Sequence, residues 1–416
     1  MSRSLISSQK FSPVQSLKLP DVSAKKFFHK ILKKCSQGQL RLIDGEDEFI
    51  FGNVLDSQVK AVMKIEDPRC YSHVLLGGSI GIAEAYMQGM WTTDDLSEVV
   101  RFFSKNLSAA EKVEGAFSKV SQVLFRLRYF FEKNSITGSK KNIVAHYDLG
   151  NDFFKLFLDQ SMMYSMAIFA DSQKKNLAQA QELKLKTICE KLQLKSSDHL
   201  LEIGTGWGGL ACYAAEHYGC KVTTTTISDE QFSYTAELIK GKGLTKQITL
   251  LKQDYRLLEG TYDKLVSIEM IEAVGADYFG EYFRQCSHLL RKDGIFLMQV
   301  ITIPDQRFER ARKEVDFIKR YIFPGCCIPS IYALSSSAMS NSSFRIIDLK
   351  DYAEDYADTL KCWKKRFEDN QQEVQKLTDE TFFKMWQMYF AYCEGGFRER
   401  IIGCSQILFA NTENRG

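Results

Sequence analysis

The 416-residue chain has no run of eighteen consecutive apolar residues, so it offers no candidate membrane-spanning helix. Residues 1–15 lack the apolar stretch of a secretory signal, and no export leader is expected. Eleven cysteines are scattered without a Cys-x-x-Cys pair. That excludes a disulfide framework and points to reduced thiols in a cytoplasm-like compartment. The adjacent Cys326-Cys327 suits neither a metal site nor an ordinary disulfide, and no metal is expected. Zinc-finger, RNP and helix-turn-helix signatures are absent, so nucleic acid is not an expected partner. There is no internal repeat or low-complexity tract, and the length calls for two or three folding units.

Net charge is only +3, but it is uneven. Residues 1–42 hold nine Lys/Arg against Asp21, and residues 101–142 hold nine against Glu111, Glu114 and Glu132. These two segments carry a net +14 and leave −11 for the rest, an asymmetry that suits an anionic partner. Val113, Phe117, Val120, Leu124, Leu127 and Phe131 recur at spacings of three and four, one face of a helix, with Lys112, Lys119, Arg126, Arg128 and Lys133 around them. A shorter version runs from Ser23, a candidate N-cap, through Phe27, Phe28, Ile31 and Leu32 among lysines. Basic helices with bulky apolar faces suit an anionic membrane surface. The competing reading is that both stripes pack on the protein's own core.

Three stretches are expected along the chain. Residues 1–111 form an N-terminal lipid- or membrane-associating domain, with strand-like runs at 40–42 and 48–51 and a glycine-punctuated block at 77–91. Residues 112–141 are a basic connector ending in a polar junction. Residues 142–416 alternate apolar runs with helical patterns, with strands expected at 199–203, 221–226, 248–251, 262–268 and 294–302. This predicts an α/β, Rossmann-like parallel sheet with helices on both faces and ligands at the carboxyl ends of its strands. An apolar insertion near 305–350, around Phe323-Pro324-Gly325, reads as a lid or substrate cover.

The first of these strands runs into the most specific motif, His199-Leu200-Leu201-Glu202-Ile203-Gly204-Thr205-Gly206-Trp207-Gly208-Gly209. An acid sits two residues before the first glycine, and a helix start follows. Glycines let the backbone turn tightly and lie against a ligand. The pattern resembles the first motif of S-adenosylmethionine (SAM) methyltransferases. After the second strand, Thr226 stands where NAD-binding folds often place an acid. The expected ribose partner is Gln231 or a hydroxyl, with Asp229 and Glu230 as helix-start charges. After the third strand, Asp254 and Tyr255 are expected to hold and stack on adenine. After the fourth come two acids, Glu269 and Glu272, three residues apart. One suffices to cap the next helix, and the second reads as a pocket carboxylate.

Four separated segments make a closer resemblance, to the cyclopropane fatty acid synthase family that includes the mycolic acid cyclopropane synthases. They are His146-Tyr147-Asp148-Leu149-Gly150-Asn151-Asp152-Phe153-Phe154 with Tyr164-Ser165; the loop at 202–209; Tyr321-Ile322-Phe323-Pro324-Gly325 with Ile328-Pro329-Ser330; and Met385-Trp386 with Cys393-Glu394-Gly395-Gly396-Phe397-Arg398. The 81–91 block also looks like the full-length bacterial enzymes. The resemblance implies methyl transfer from SAM to a cis double bond of a phospholipid acyl chain, then loss of a proton to close a cyclopropane. The cysteine usage and the basic segments add the expectation of a cytoplasmic protein bound peripherally to the inner face of the membrane. SAM is expected on Tyr164, Ser165, Glu202, Gly204, Thr205, Gly206, Gly208, Thr226, Gln231, Asp254 and Tyr255. By position, Glu272, the backbone of Ile301, Tyr356 and Cys393 are the reaction-site residues.

The family holds a bicarbonate ion as its base. Here Met166 and Gln299 replace the cysteine and histidine that help to hold it, and Ala273 replaces a histidine after the glutamate. Glutamine still donates a hydrogen bond, whereas a methionine side chain has no N–H or O–H. The base is therefore expected to be held more weakly or placed differently, which opens methylene- or methyl-branched products from the same cation. Other readings are a small-molecule methyltransferase and a SAM-binding lipid-surface protein without turnover. A homo-oligomer is left open.

Overall fold

The computed structural model describes residues 21–53, 58–107, 149–170 and 176–414, which fall into two units. In the first, the strand-like runs extend into β1 (Gln39–Asp44) and β2 (Asp47–Gly52), an antiparallel pair turned at Gly45. β3 (Lys60–Ile65) lies parallel to β1, and the short β4 (Trp91–Thr92) lies antiparallel to β3. The helices α1 (Asp21–Leu32), α2 (Arg69–Met87) and α3 (Leu96–Lys105) belong to the same unit. The glycine block has a local reason. α2 breaks its helical path at Gly78 (φ 54°, ψ −131°), and a Cβ on Gly81 would lie 2.0 Å from the His73 carbonyl oxygen.

Two readings of α1 need correction. The helix already runs at Asp21, so Ser23 lies inside it and does not cap it. Its apolar side is core: Ala24, Phe28 and Leu32 are buried, and Phe28 packs against Tyr71. Lys26 and Lys30 of the helix, and Lys33 and Lys34 just after it, are exposed, as are Val22 and Ser23. The connector at 112–141 and residues His146, Tyr147 and Asp148 lie outside the described residues.

The first unit also takes in Lys313–Pro324 and Trp363–Ile401, so the segment expected at 142–416 as one domain is interrupted twice. Packing explains the longer interruption. A Cβ on Gly395, in the Glu380–Arg398 helix, would meet Val100 at 2.6 Å, so only glycine lets that helix approach α3 this closely. Ser97 Oγ donates to Glu394 at 2.6 Å, Lys364 Nζ donates to Ser97 Oγ at 2.6 Å, and Arg101 pairs with Glu399 at 2.7 Å. Within 313–324, Tyr321 Oη donates to the buried Glu84, and Phe323 packs on Tyr389.

The second unit is built on seven strands: β5 (His199–Ile203), β6 (Lys221–Thr226), β7 (Ile248–Lys252), β8 (Tyr262–Ile268), β9 (Leu290–Thr302), β10 (Arg345–Asp351) and β11 (Gly403–Ala410). Their order is β10-β11-β9-β8-β5-β6-β7. The five strands expected from sequence are parallel, while β11 and β10 close the sheet antiparallel. Successive strand residues feed opposite apolar clusters. Leu201, Leu265, Phe296 and Met298 enter one, and Leu200, Val266 and Leu297 the other. That is pleat alternation with both faces covered, as a parallel sheet requires. The strand order reverses between β5 and β8, the switch point where such sheets bind ligands. No described helix is long and apolar enough to cross a membrane. Eight of the eleven cysteines are buried.

Candidate active site

At the end of β5 the chain turns through Gly204 (φ 97°), Gly206 (φ 53°) and Gly208 (φ 84°). The N–H groups of Gly204 and Thr205 both donate to the Thr225 carbonyl at 3.2 and 2.9 Å, which fixes the loop against β6. Asn151 Oδ1 accepts from Trp207 Nε1 at 2.6 Å, and Phe154 packs against both Trp207 and Tyr164. The described part of the 146–154 motif, Tyr164 and the glycine loop are thus brought together. The Gly209–Tyr218 helix sits close behind, where a Cβ on Gly209 would meet Met163 Sδ at 2.7 Å.

The loop fits SAM on two counts. Nothing lies within 4 Å of a Cβ built on Gly206, so that backbone faces open space. Thr205 Oγ1 is buried with no hydrogen-bond partner among the described residues. Glu202 accepts from Thr224 Oγ1 at 2.6 Å, and burial pushes its carboxyl up to about 8. Thr226 Oγ1 donates to the Gln231 amide oxygen at 2.8 Å, orienting that amide. Ser228 caps the Asp229–Gly241 helix, while Asp229 and Glu230 are exposed in its first turn. Asp254 forms a two-point pair with Arg256, at 2.8 and 2.7 Å, beside the partly buried Tyr255. Ser165 Oγ accepts from the buried Lys184 Nζ at 2.7 Å, and desolvation lowers that lysine to about 8.

The acid pair follows β8. Glu269 has left-handed backbone, φ 49°, uncommon for a residue with a Cβ. Its carboxylate accepts from Tyr356 Oη at 2.6 Å, Gln299 Nε2 at 2.8 Å and Met166 N at 2.9 Å. Gln299 is held in turn by the buried Gln406, whose Nε2 donates to its amide oxygen at 3.0 Å. Burial raises the Glu269 pKa, and those three donors with the Lys184 charge oppose the rise. Glu272 accepts from Ile301 N at 2.6 Å through Oε1, and its buried Oε2 has no partner among the described residues. Burial and the neighbouring Glu269 push Glu272 up to about 8.

The resemblance names Tyr356, Glu272 and the Ile301 backbone together as reaction-site residues. In the structure Tyr356 belongs to Glu269, and Glu272 takes the Ile301 amide. Neither acid caps the following helix, which has no side-chain cap. Glu269 was the residue missed as a site group; two acids three apart look equivalent until backbone and distant partners separate them. Cys393 lies on the Glu380–Arg398 helix of the first unit. Bicarbonate does not fit here. The Tyr356, Gln299 and Ile301 donors expected to hold it, with the Met166 amide, are engaged by the protein's own carboxylates.

A seven-stranded sheet of this order, with a SAM-fitting glycine loop at its switch point, defines a class I SAM-dependent methyltransferase. The family model described as mycolic acid cyclopropane synthetase matches residues 134–407, and the chain belongs to that family. It is 36% identical over 372 residues to the cyclopropane-fatty-acyl-phospholipid synthase of Escherichia coli (strain K12), covering 88% of this chain and 92% of the relative. It is 34% identical over 328 residues to the tuberculostearic acid methyltransferase UfaA1 of Mycobacterium tuberculosis, covering 77% and 76%. The solved mycolic acid cyclopropane synthase CmaA1, complexed with SAH and CTAB, superposes with a TM-score of 0.62 at 29% identity, covering 65% of this chain and 98% of that one.

Two predictions follow from this geometry. Gly206→Val fills the open space above the loop at a left-handed position, and SAM affinity should fall at least about tenfold, or about 1.4 kcal/mol. Calorimetric titration checks it, and unchanged affinity refutes the placement. The second concerns pH. An unfolded chain releases the Glu272 proton near the ordinary value of about 4.3, whereas the folded chain keeps it to about 8. Folding takes up a proton between those values, so Glu272 costs the fold progressively more as pH rises through that window, and a constant amount above it. Glu272→Gln should therefore melt above the wild type at pH 9, by less at pH 6, and show no such gain at pH 4. A melting difference independent of pH contradicts this account.

Proposed function

We propose that this protein transfers the methyl carbon of SAM to a cis double bond of an unsaturated phospholipid acyl chain and closes the product to a cyclopropane. The acid pair beside the SAM loop is the observation that supports this best. Met270, between Glu269 and Glu272 in sequence, has its Cγ 3.3 Å from a Cβ built on Gly204. When bound, SAM supplies an electrophilic methyl. Glu202, Gly204, Thr205, Gly206, Gly208, Thr226, Gln231, Asp254 and Tyr255 would hold it, with Tyr164 and Ser165 from the preceding segment. Methyl transfer puts positive charge on the acyl chain. A fixed carboxylate at Glu269, held by three donors, stabilises that charge strongly where water is excluded. Tyr356 and Gln299 are positioning residues acting through Glu269. Glu272 is neutral below about 8 and keeps the Ile301 amide in place.

The test is lipid chemistry. Cells expressing the protein should gain one CH₂ per modified acyl chain, with loss of the double bond and cyclopropane resonances by NMR. A methylene or methyl branch in the NMR spectrum would correct the product. SAH release with only a small-molecule acceptor, or no turnover, would overturn the reading.

The exposed Lys26 and Lys30 of α1, with Lys33 and Lys34 just after it, support peripheral binding to an anionic membrane surface. The contribution of this segment is electrostatic, because the apolar residues Ala24, Phe28 and Leu32 of α1 are core. Co-sedimentation with anionic vesicles should weaken steeply as salt rises and the Debye length falls below about 8 Å. Equal binding to neutral vesicles at all salt levels would sink it.

A further inference from the structure

The geometry points to Glu269 as the proton acceptor of ring closure, a carboxylate built into the chain where the family resemblance expects a diffusible bicarbonate ion. This rests on the cyclopropanation reading above for its substrate. Glu269 brings one carboxylate group to the donors Tyr356 Oη, Gln299 Nε2 and the Met166 amide, all within 2.9 Å. Two of these stand at positions that the resemblance assigns to the ion, and the third is the backbone of the residue that replaces the ion-holding cysteine. Met166 and Gln299 thus cease to be isolated departures. A bonded carboxylate needs no cysteine side chain there, and an amide donor suffices where a histidine stood.

The acceptor geometry is complete but not saturated. Oε1 receives two hydrogen bonds, from Met166 N and Gln299 Nε2, and Oε2 receives one, from Tyr356. A lone pair remains on Oε2. The holding residues Gln299, Gln406, Met166 and Tyr356 are buried, whereas Glu269 keeps part of its surface accessible. The other ionisable groups acting on the site are Lys184, Glu272 and Cys404. Lys184 supplies the opposite charge, so a carboxylate at Glu269 is not left alone among like charges.

The alkene's π pair forms a carbon–carbon bond to the methyl group as its bond to sulfur breaks, which leaves a cation on the acyl chain. A C–H bond of the transferred methyl then breaks, its electron pair closes the ring, and the proton goes to Glu269 Oε2. The carboxylic acid returns that proton to water after product leaves. A tethered base replaces a bimolecular encounter with an intramolecular one, the advantage of fixed orientation.

Two variants and one ion test this. Wild-type protein should show no saturable binding of ¹³C-bicarbonate by NMR, and its turnover should be the same in carbon-dioxide-depleted and bicarbonate-supplemented buffer. Glu269→Gly suits the left-handed backbone, so it should fold, and it frees the three donors. Its turnover should fall about 10²-fold or more, bicarbonate should now bind saturably, and added bicarbonate or formate should restore part of the rate. Glu269→Gln should lose turnover similarly with SAM affinity retained by calorimetry, and no rescue. Saturable bicarbonate binding or bicarbonate-dependent turnover in the wild type overturns the proposal, as does a wild-type rate in Glu269→Gln. The binding arms need no lipid, so they stand even if the substrate reading fails, which the absence of SAH release from unsaturated phospholipid would reveal separately.

Discussion

Four separate pieces of the second unit meet at one carboxylate. Glu269 follows β8; Met166 lies before the long helices of the domain, Gln299 is within β9, and Tyr356 is on the Ala353–Asp369 helix. Its partners lie 103, 30 and 87 residues away in sequence. A charged group in such surroundings is strongly unfavourable unless every donor is in place, so the same contacts that make the site chemically usable also fix the relative positions of these segments. The left-handed turn at Glu269 and the Gln406–Gln299 bond serve that arrangement. Strain and buried polar groups at one point are what a site under functional constraint looks like.

The central sheet was legible because its strands are short apolar runs bounded by turn residues. β5, β6 and β8 begin and end where the residues suggest, and β7 differs by one residue. β9 begins at Leu290, earlier than expected, because the chain resumes pairing with Tyr262 across an irregularity in the register. β10 was not legible. It is an edge strand with Arg345, Asp348, Lys350 and Asp351 exposed, and it has no buried face to leave an alternating pattern. β11 is apolar and almost wholly buried, but a short apolar run near the end of a chain does not declare its neighbours. The cofactor side of the site was legible from glycine spacing. The acid side was not, because the distinction between Glu269 and Glu272 is written in a backbone angle and in long-range hydrogen bonds.

The glycine and charge signals of the first unit carry a different lesson. The 393–398 segment resembles a family motif, yet Glu394 and Gly395 within it have plain packing duties against α3. The apolar stripe of α1 looked like a membrane face and is half a core. For α1 the periodicity left two partners open, membrane or core, since an amphipathic pattern states that a face is covered and says nothing about by what.

The buried cysteines give the molecule a particular reactivity. Burial pushes Cys35, Cys212 and Cys220 up to about 11 and Cys70 to about 12. Nucleophilic attack belongs to the thiolate, so at neutral pH fewer than about one in a thousand of these sulfurs is primed to react. Unsaturated lipids, the proposed substrates, are also the source of electrophilic aldehydes when they oxidise. Buried in the interior, these sulfurs serve as packing volume, and burial disfavours the thiolate that such electrophiles need.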